Sequence, residues 1–305
     1  MNILFLGAGK RFTLLESFFA AAKKEEVEVR LFSVENTEAV PISKLAKIFI
    51  GPSFRDEKFG GFLADIVAHN KIDLVIPNMD AATVVLAGLK QKLAAFGCHP
   101  VVSSADLCAT MEDKIRSEQW FVSQGLSVPA REGFPCIVKH RLGFGSRDQG
   151  VFNNQAELEG FLSKRTYKDY IVQKFTSGQE YTVDAYVDLK GKIIAALSRK
   201  RLKVVDGEVD VSEVRRHTGI LEITKKALSQ PGWEGPLTLQ FIDSPDGPII
   251  LEINPRFGGG VTHSIQAGLD MPRWIIRERL KRPLGDSPSW TDGSIMMRYR
   301  KDVFL

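Results

Sequence analysis

The sequence predicts an α/β and α+β chain, in which a small parallel-sheet domain precedes two antiparallel β-layers. Three observations carry this expectation. Apolar, strand-length runs at residues 3–6, 29–33 and 74–77 alternate with helical stretches at 14–24 and 62–69, the pattern of a sheet with helices on both faces. A glycine-dense loop, Gly143 to Gly150, follows the apolar strand 136–139. From residue 179 onward the pattern alternates with period two and ends in a hairpin over 238–255, as antiparallel strands with one buried face do.

A chain of 305 residues with 44% apolar composition buries a real core and has room for two or three domains. Lys+Arg 41 against Asp+Glu 37 leaves a net charge of +4, too small and too evenly mixed to make nucleic acid the main ligand. Cys98, Cys108 and Cys136 are odd in number and lack metal-site spacing. With no apolar run near 20 residues and no signal-peptide pattern, a soluble cytoplasmic protein without a membrane partner is expected.

Gly7 and Gly9 follow the first strand, where a bare turn lets helix N-terminal amides approach an anion. A dinucleotide fingerprint needs a third glycine where Phe12 stands, although Glu35 imitates its acidic ribose ligand; a structural strand-to-helix turn is the other reading. Val101-Val102 is read as a last strand of this domain. Asp80 follows the strand end 77–79, where open α/β sheets place ligands, and is also in position to cap the next helix.

In the middle, one amphipathic helix is read from Ala105 through Lys114 to Gln124, ending at Gly125. The strand 136–139, the glycine loop, a helix at 155–163 and a strand at 170–174 then form a small lid, whose loop amides are suited to wrap a polyphosphate. Strands at 180–189 and 192–200 follow, then a helix at 212–228. Tyr181, Val183, Ala185 and Val187 share one face of the first of these strands; Glu180, Thr182 and Asp184 occupy the functional or solvated face. Arg199 and Arg201 are read as phosphate-reaching or as an exposed edge stripe, and His263 as a helix start or an acid–base group. Residues 296–299 are read as a late strand, with Arg298 within reach of a substrate carboxylate.

The hairpin concentrates the chemistry. Pairing about Asp246 puts Gln240 opposite Glu252, with Asn254 on the same face and Leu239, Phe241, Leu251 and Ile253 facing the core. One carboxylate and two amide oxygens are hard donors suited to magnesium carried by a nucleotide phosphate, and Arg256 stands just past the strand end.

In their order and spacing these motifs resemble the ATP-grasp superfamily, most closely the nucleotide-binding halves of the carbamoyl-phosphate synthase large subunit, over about residues 105–257. The resemblance implies a Rossmann-like pre-ATP-grasp domain at 1–106 and an ATP-grasp domain of two β-layers gripping ATP at 107–305, with a lid at about 128–174 and a base at about 175–305. It assigns Lys114, of Glu112-Asp113-Lys114, to the nucleotide phosphates and Lys139 to the α-phosphate. Gly143, Gly145 and Ser146 fall in the loop over the triphosphate. Gln173, Lys174 and Phe175 resemble the hinge that takes the adenine edge, and Glu180, of a Glu-x-x-x-Asp pattern, lies near the sugar. Gln240, Glu252 and Asn254 correspond to ligands of two magnesium ions, with manganese as a substitute, and Arg256 to the arginine that balances charge at the transferred phosphoryl group.

The activity so implied is ATP-dependent joining of a small-molecule carboxylate to an amine or ammonia through an acyl phosphate, with Arg256 and Lys139 in catalytic roles. The acid and amine are not legible. One grasp half without an amidotransferase motif means that carbamoyl phosphate synthesis is not expected of this chain alone, while action with a glutaminase or other subunit stays open, as does a homodimer. Two competing readings are a nucleotide-binding regulatory subunit without independent catalysis and an oxidoreductase built on Gly7 and Gly9.

Overall fold

The computed structural model describes residues 1–143, 149–205, 207–285 and 288–304. Gly145 and Ser146 of the glycine loop lie outside the described residues. The N-terminal sheet holds β1 (Asn2–Leu6), β2 (Arg30–Glu35), β3 (Ala46–Ile50), β4 (Leu74–Pro77) and β5 (His99–Pro100), all parallel, in the order β3-β2-β1-β4-β5. Alternation along β1 decides its two faces. Ile3 and Phe5 pack on Leu14, Leu15 and Phe18 of α1 (Phe12–Lys24). Leu4 and Leu6 pack on α2 (Phe59–His69), α3 (Asp80–Gly88) and α4 (Lys90–Ala94). The last strand falls on His99–Pro100 and not on Val101-Val102, which are buried beyond it.

The helix expected over 105–124 is two: α5 (Ala105–Glu112) and α6 (Lys114–Ser123). Asp113 breaks it. Its backbone is extended (φ −99°, ψ 112°), its carboxylate caps α6 by accepting from Ile115 N at 3.0 Å, and Arg141 grips both oxygens at 2.8 Å through Nε. A capping aspartate satisfies helix donors that a continuous helix would not leave open.

A three-stranded antiparallel sheet follows, β7-β6-β8, from β6 (Cys136–His140), β7 (Gly150–Phe152) and β8 (Tyr170–Lys174), covered by α7 (Gln155–Leu162). The larger layer is a six-stranded antiparallel sheet of β9 (Gln179–Val187), β10 (Ile193–Val205), β11 (Glu208–Val214), β12 (Gly235–Ser244), β13 (Gly247–Asn254) and β14 (Ile295–Met297), ordered β13-β12-β9-β10-β11-β14. Residues 212–214 belong to β11, so the helix expected from Ser212 is corrected to α8 (Thr218–Leu228). Val209, Val211 and Val214 favour the strand, and the helix starts only where His217 Nδ1 accepts from Ile220 N at 3.2 Å.

Tyr181, Val183, Ala185 and Val187 do face one core, with α8 and Phe121 of α6. The opposite face of β9 changes character along its length. Glu180 is exposed, Asp184 is fully buried beneath α9 (Val261–Gln266), and Tyr186 packs on Trp274 of α10 (Met271–Arg279). That second core is continuous with α1 and β1, which joins the two sheets into one body. Glu25, at the end of α1, reinforces the junction by accepting from Arg273 and Arg282.

The glycine run after β13 follows from close packing. A Cβ on Gly260 would lie 2.6 Å from Val209 Cγ1 and 2.7 Å from Arg199 Nη1. Gly260→Ala is therefore expected to cost about 1–3 kcal/mol by overpacking, measured as a lower urea midpoint at unchanged m-value. A midpoint equal to wild type would mean that the run is not packing-limited.

Candidate active site

The β12–β13 hairpin pairs Gln240 with Glu252 and Thr238 with Asn254, as its sequence predicts. The route to that register differs. The strands close on Ser244 opposite Gly247, one step tighter than pairing about Asp246, and a bulge between Ile250 and Glu252 restores the alignment. Ile250 consequently takes the core place expected of Leu251, which stays half-buried.

Gln240 Oε1 accepts from Arg201 Nη1 at 3.2 Å, Glu252 Oε1 from Asn254 Nδ2 at 2.9 Å, and Asn254 Oδ1 from Arg256 Nη2 at 3.4 Å. Three oxygen donors thus share one face, each touched by a positively polarised group. Among the described residues no cluster of three His, Cys, Asp or Glu side chains is present. A single carboxylate with two amides fits a hard divalent cation that brings phosphate oxygens of its own, and does not fit a dedicated zinc or calcium cage.

Lys139, half-buried at the end of β6, reaches Gln173 Oε1 at 3.4 Å. Burial is the main influence on its ammonium and lowers its pKa; Lys114 acts in the same direction, while Glu252, Glu180 and Glu118 oppose it. Lys114, Glu180 and Glu252 therefore all lie near enough to Lys139 to act on its charge. Lys114 Nζ donates to Gly143 O at 2.9 Å, where the glycine loop begins. Gln173 is buried and donates to Glu118, which also receives Arg131. Lys174 N donates to Ala130 O at 2.7 Å and Phe175 N to Pro135 O at 2.8 Å, so these two hinge amides are engaged within the protein. A cavity of about 910 Å³ opens beside Cys136, Leu158 and Val172. By strand alternation it lies on the face of the small sheet opposite Lys139.

Glu180 pairs with Arg201 at 2.9 Å. Arg201 sits between Glu180 and Gln240 and is nine-tenths buried, not part of an exposed stripe. Arg199 is fully buried and clamps Asp184 at 2.7 Å and 3.0 Å and Ser264 at 2.9 Å. Thr238 Oγ1 joins Asp184 Oδ1 (3.2 Å) to Arg256 O (3.1 Å), so this buried pair braces the end of the hairpin. His263 is buried as well, with Nδ1 at 2.8 Å from Ser212 Oγ and Nε2 at 3.1 Å from Ser294 Oγ. It does not open to the cleft as an acid–base group would.

Arg256 makes a two-pronged ion pair with Asp80, at 2.6 Å and 2.9 Å. Burial alone would lower its pKa, but Asp80, Glu252 and Glu208 outweigh burial and raise it. Asp80 does not cap α3; it reaches across from the parallel sheet to the hairpin. The Gly7–Gly9 turn is occupied from within. Glu35 accepts from Ser33 Oγ at 2.6 Å, and its Oε2 lies 3.1 Å from where a Cβ on Gly9 would stand. A carboxylate packed against this turn repels a pyrophosphate, which counts against the oxidoreductase reading.

Sequence reasoning missed Arg11, Glu118 and Glu208 and undervalued Arg201. The parity of Arg201 with Glu180 across β9 and β10 was the available signal. Nothing local marks Arg11, which meets Gly258 O at 2.7 Å across 247 residues of chain.

Residues 166–302 match the family model described as ATP-grasp in the biosynthetic pathway with Ter operon, and residues 3–101 match the PylC-like N-terminal domain. A carbamoyl phosphate synthase large chain of Clostridium botulinum is 28% identical over 149 residues, 45% of this chain and 14% of the relative. The chain thus matches a small part of the length of that curated relative. The N5-carboxyaminoimidazole synthetase of Staphylococcus aureus, solved with ADP, superposes with a TM-score of 0.77 at 16% identity, covering 98% of this chain and 82% of that one. The biotin carboxylase domain dimer of Hydrogenobacter thermophilus 2-oxoglutarate carboxylase, solved with MgADP and bicarbonate, gives 0.76 at 16% identity, covering 96% and 73%. The fold and the resemblance read from the motifs are borne out.

His263 supplies a pH test. Burial first, then Arg199, pulls its pKa from 6.5 down to about 4. Between those values the unfolded chain binds the extra proton, so stability is lost as pH falls from 6.5 through 4. The loss expected is on the order of 2 kcal/mol, allowing for partial solvent screening. His263→Gln should flatten that acid limb in urea melts; a limb as steep as wild type would refute the assignment.

Proposed function

We propose that this ATP-grasp protein is a magnesium-dependent ligase that consumes ATP to join a carboxylate to an amine through an acyl phosphate. The observation that carries the reading is the gathering of Lys114, Glu180 and Glu252 about Lys139, with Arg256, held by Asp80, acting on the same Glu252. Phosphoryl transfer to a carboxylate brings anions together, so such a site must neutralise charge and hold the reactants in line.

In this reading the β8 hinge at Gln173 to Phe175 borders the adenine and Glu180 the sugar. Lys139 and Lys114 meet the phosphates, beneath the loop that begins at Gly143. Gln240, Glu252 and Asn254 would hold magnesium, which supplies charge neutralisation at the β and γ phosphates when bound. A carboxylate oxygen attacks the γ-phosphorus and the bond to the β-phosphate oxygen breaks, releasing ADP. The amine nitrogen then attacks the acyl carbon, the carbon–oxygen bond to phosphate breaks, and the nitrogen loses a proton. Arg256 and Arg201 offset the negative charge gathered at the transferred group. The small sheet excludes water from the acyl phosphate, which hydrolysis would otherwise waste.

No helix among the described residues is long and apolar enough to cross a membrane. A cytoplasmic location, a homodimer and a glutaminase partner supplying ammonia extend the proposal, and copurification would identify such a partner.

The test is ADP release from Mg-ATP over pools of amino acids and small carboxylates, each with and without added amine. Lys139→Met should weaken binding of a nonhydrolysable ATP analogue at least about tenfold, or about 1.4 kcal/mol. Glu252→Gln should lower kcat about 100-fold. An analogue that fails to bind wild type, or binds both variants equally, would sink the proposal. Tight binding with no turnover in any pool would favour a regulatory subunit.

A further inference from the structure

The turn after β1 has the Glu35 carboxylate packed against it, which disfavours a nucleotide phosphate there. It does place Arg11 across the junction between the two sheets. Arg11 Nη1 donates to Gly258 O at 2.7 Å, while Arg298, just past β14, donates to Gly259 O and pairs with Glu208 at 2.7 Å. Arg11 Nη1 and a Glu208 oxygen each lie 3.8 Å from the point where a side chain on Gly259 would begin, so the glycine leaves open the space these groups border.

Arg11 makes one side-chain hydrogen bond among the described residues, and none of its nitrogens is a buried orphan. Its remaining donors therefore face open space. Burial first, then Arg256 and Arg298, brings its pKa down to about 10, with Glu208 and Asp80 opposing. Three guanidiniums, Arg11, Arg256 and Arg298, thus stand among three carboxylates, Asp80, Glu208 and Glu252, and Lys10, close enough to act on Glu208, leaves an excess of one positive charge. A half-dehydrated crevice with surplus guanidinium donors is suited to an anion, and the planar fork to a carboxylate.

Arg256 adjoins the oxygen donors of the hairpin and is committed to Asp80 through two bonds. Arg11 and Arg298 meet the backbone two and three residues further along, at Gly258 and Gly259. We propose that Arg11 and Arg298 form a subsite for a substrate carboxylate other than the one phosphorylated. The reactants then include either a dicarboxylic acid or an amine bearing its own carboxylate, for which Glu208 offers a counter-charge to an ammonium group. The proposal rests on the ligase reading above and assigns the Gly7–Gly9 turn to substrate recognition.

The probes are the L-amino acids, linear dicarboxylates from malonate to adipate, and their methyl esters, tested by thermal shift without nucleotide and by ADP release with Mg-ATP. At least one free acid should stabilise wild type more than its ester does. Arg11→Met and, independently, Arg298→Met should abolish that preference, raise the KM of the responsive compound at least tenfold and leave the KM of ATP within twofold. Response of a dicarboxylate with a simple amine would assign the subsite to the acid; response of an amino acid with a monocarboxylate would assign it to the amine. The inference is overturned if no probe shows an acid-over-ester shift that depends on Arg11 or Arg298 while both variants melt like wild type. Because the thermal-shift arm needs no nucleotide, failure of ATP binding would count against the ligase reading alone.

Discussion

The Asp80–Arg256 pair is the interaction on which the arrangement turns. It crosses from the carboxyl end of the parallel sheet to the end of the β12–β13 hairpin, with side chains 18% and 13% exposed. An ion pair so far removed from water is no large source of net stability, because desolvation offsets much of the attraction. Its effect is directional. A guanidinium gripped through two bonds has one orientation, and Asn254, which it touches at 3.4 Å, inherits that orientation. Removing either partner would leave a charge with little solvent, at a cost of about 3–5 kcal/mol. The parallel-sheet domain is in this sense part of the cleft and not an appendage to it.

Beneath the cleft face lies a second layer of constraint. Asp184 and Arg199 are both fully buried and satisfied by Ser264, Ser212 and Thr238. Thr238 hands this rigidity to the backbone of Arg256, and a Cβ on Gly258 would come within 2.7 Å of the same hydroxyl. The glycine run thus lets the chain descend onto a polar core. Buried networks of this kind specify a single geometry when every member is bonded.

Much of this was legible in the sequence, and the reasons are physical. Period-two alternation gave the faces of β9 and the hairpin, because one side of each strand is apolar. The order of the motifs singled out Lys114, Lys139, Glu180 and Glu252, which the fold places near one another. The failures share a cause as well. The break at Asp113 needed Arg141, and the burial of Arg199 needed Asp184 and Ser264, partners whose position only the tertiary structure supplies. Residues 212–214 read as the start of a helix, whereas pairing with β10 decided the matter. Arg11 carries no local signal at all, since its role arises from contact with a loop near the other end of the chain.

The bulge in β13 has a consequence for how this hairpin tolerates change. The tip, from Ser244 to Gly247, sets one register and the kink at Leu251 sets another. Two segments of a single ribbon are thereby uncoupled: length variation at the exposed apex stops short of the donor oxygens. Loss of the bulged residue would still leave Glu252 opposite Gln240, whereas straightening the kink with every residue kept would set Leu251 there and rotate Glu252 to the apolar side.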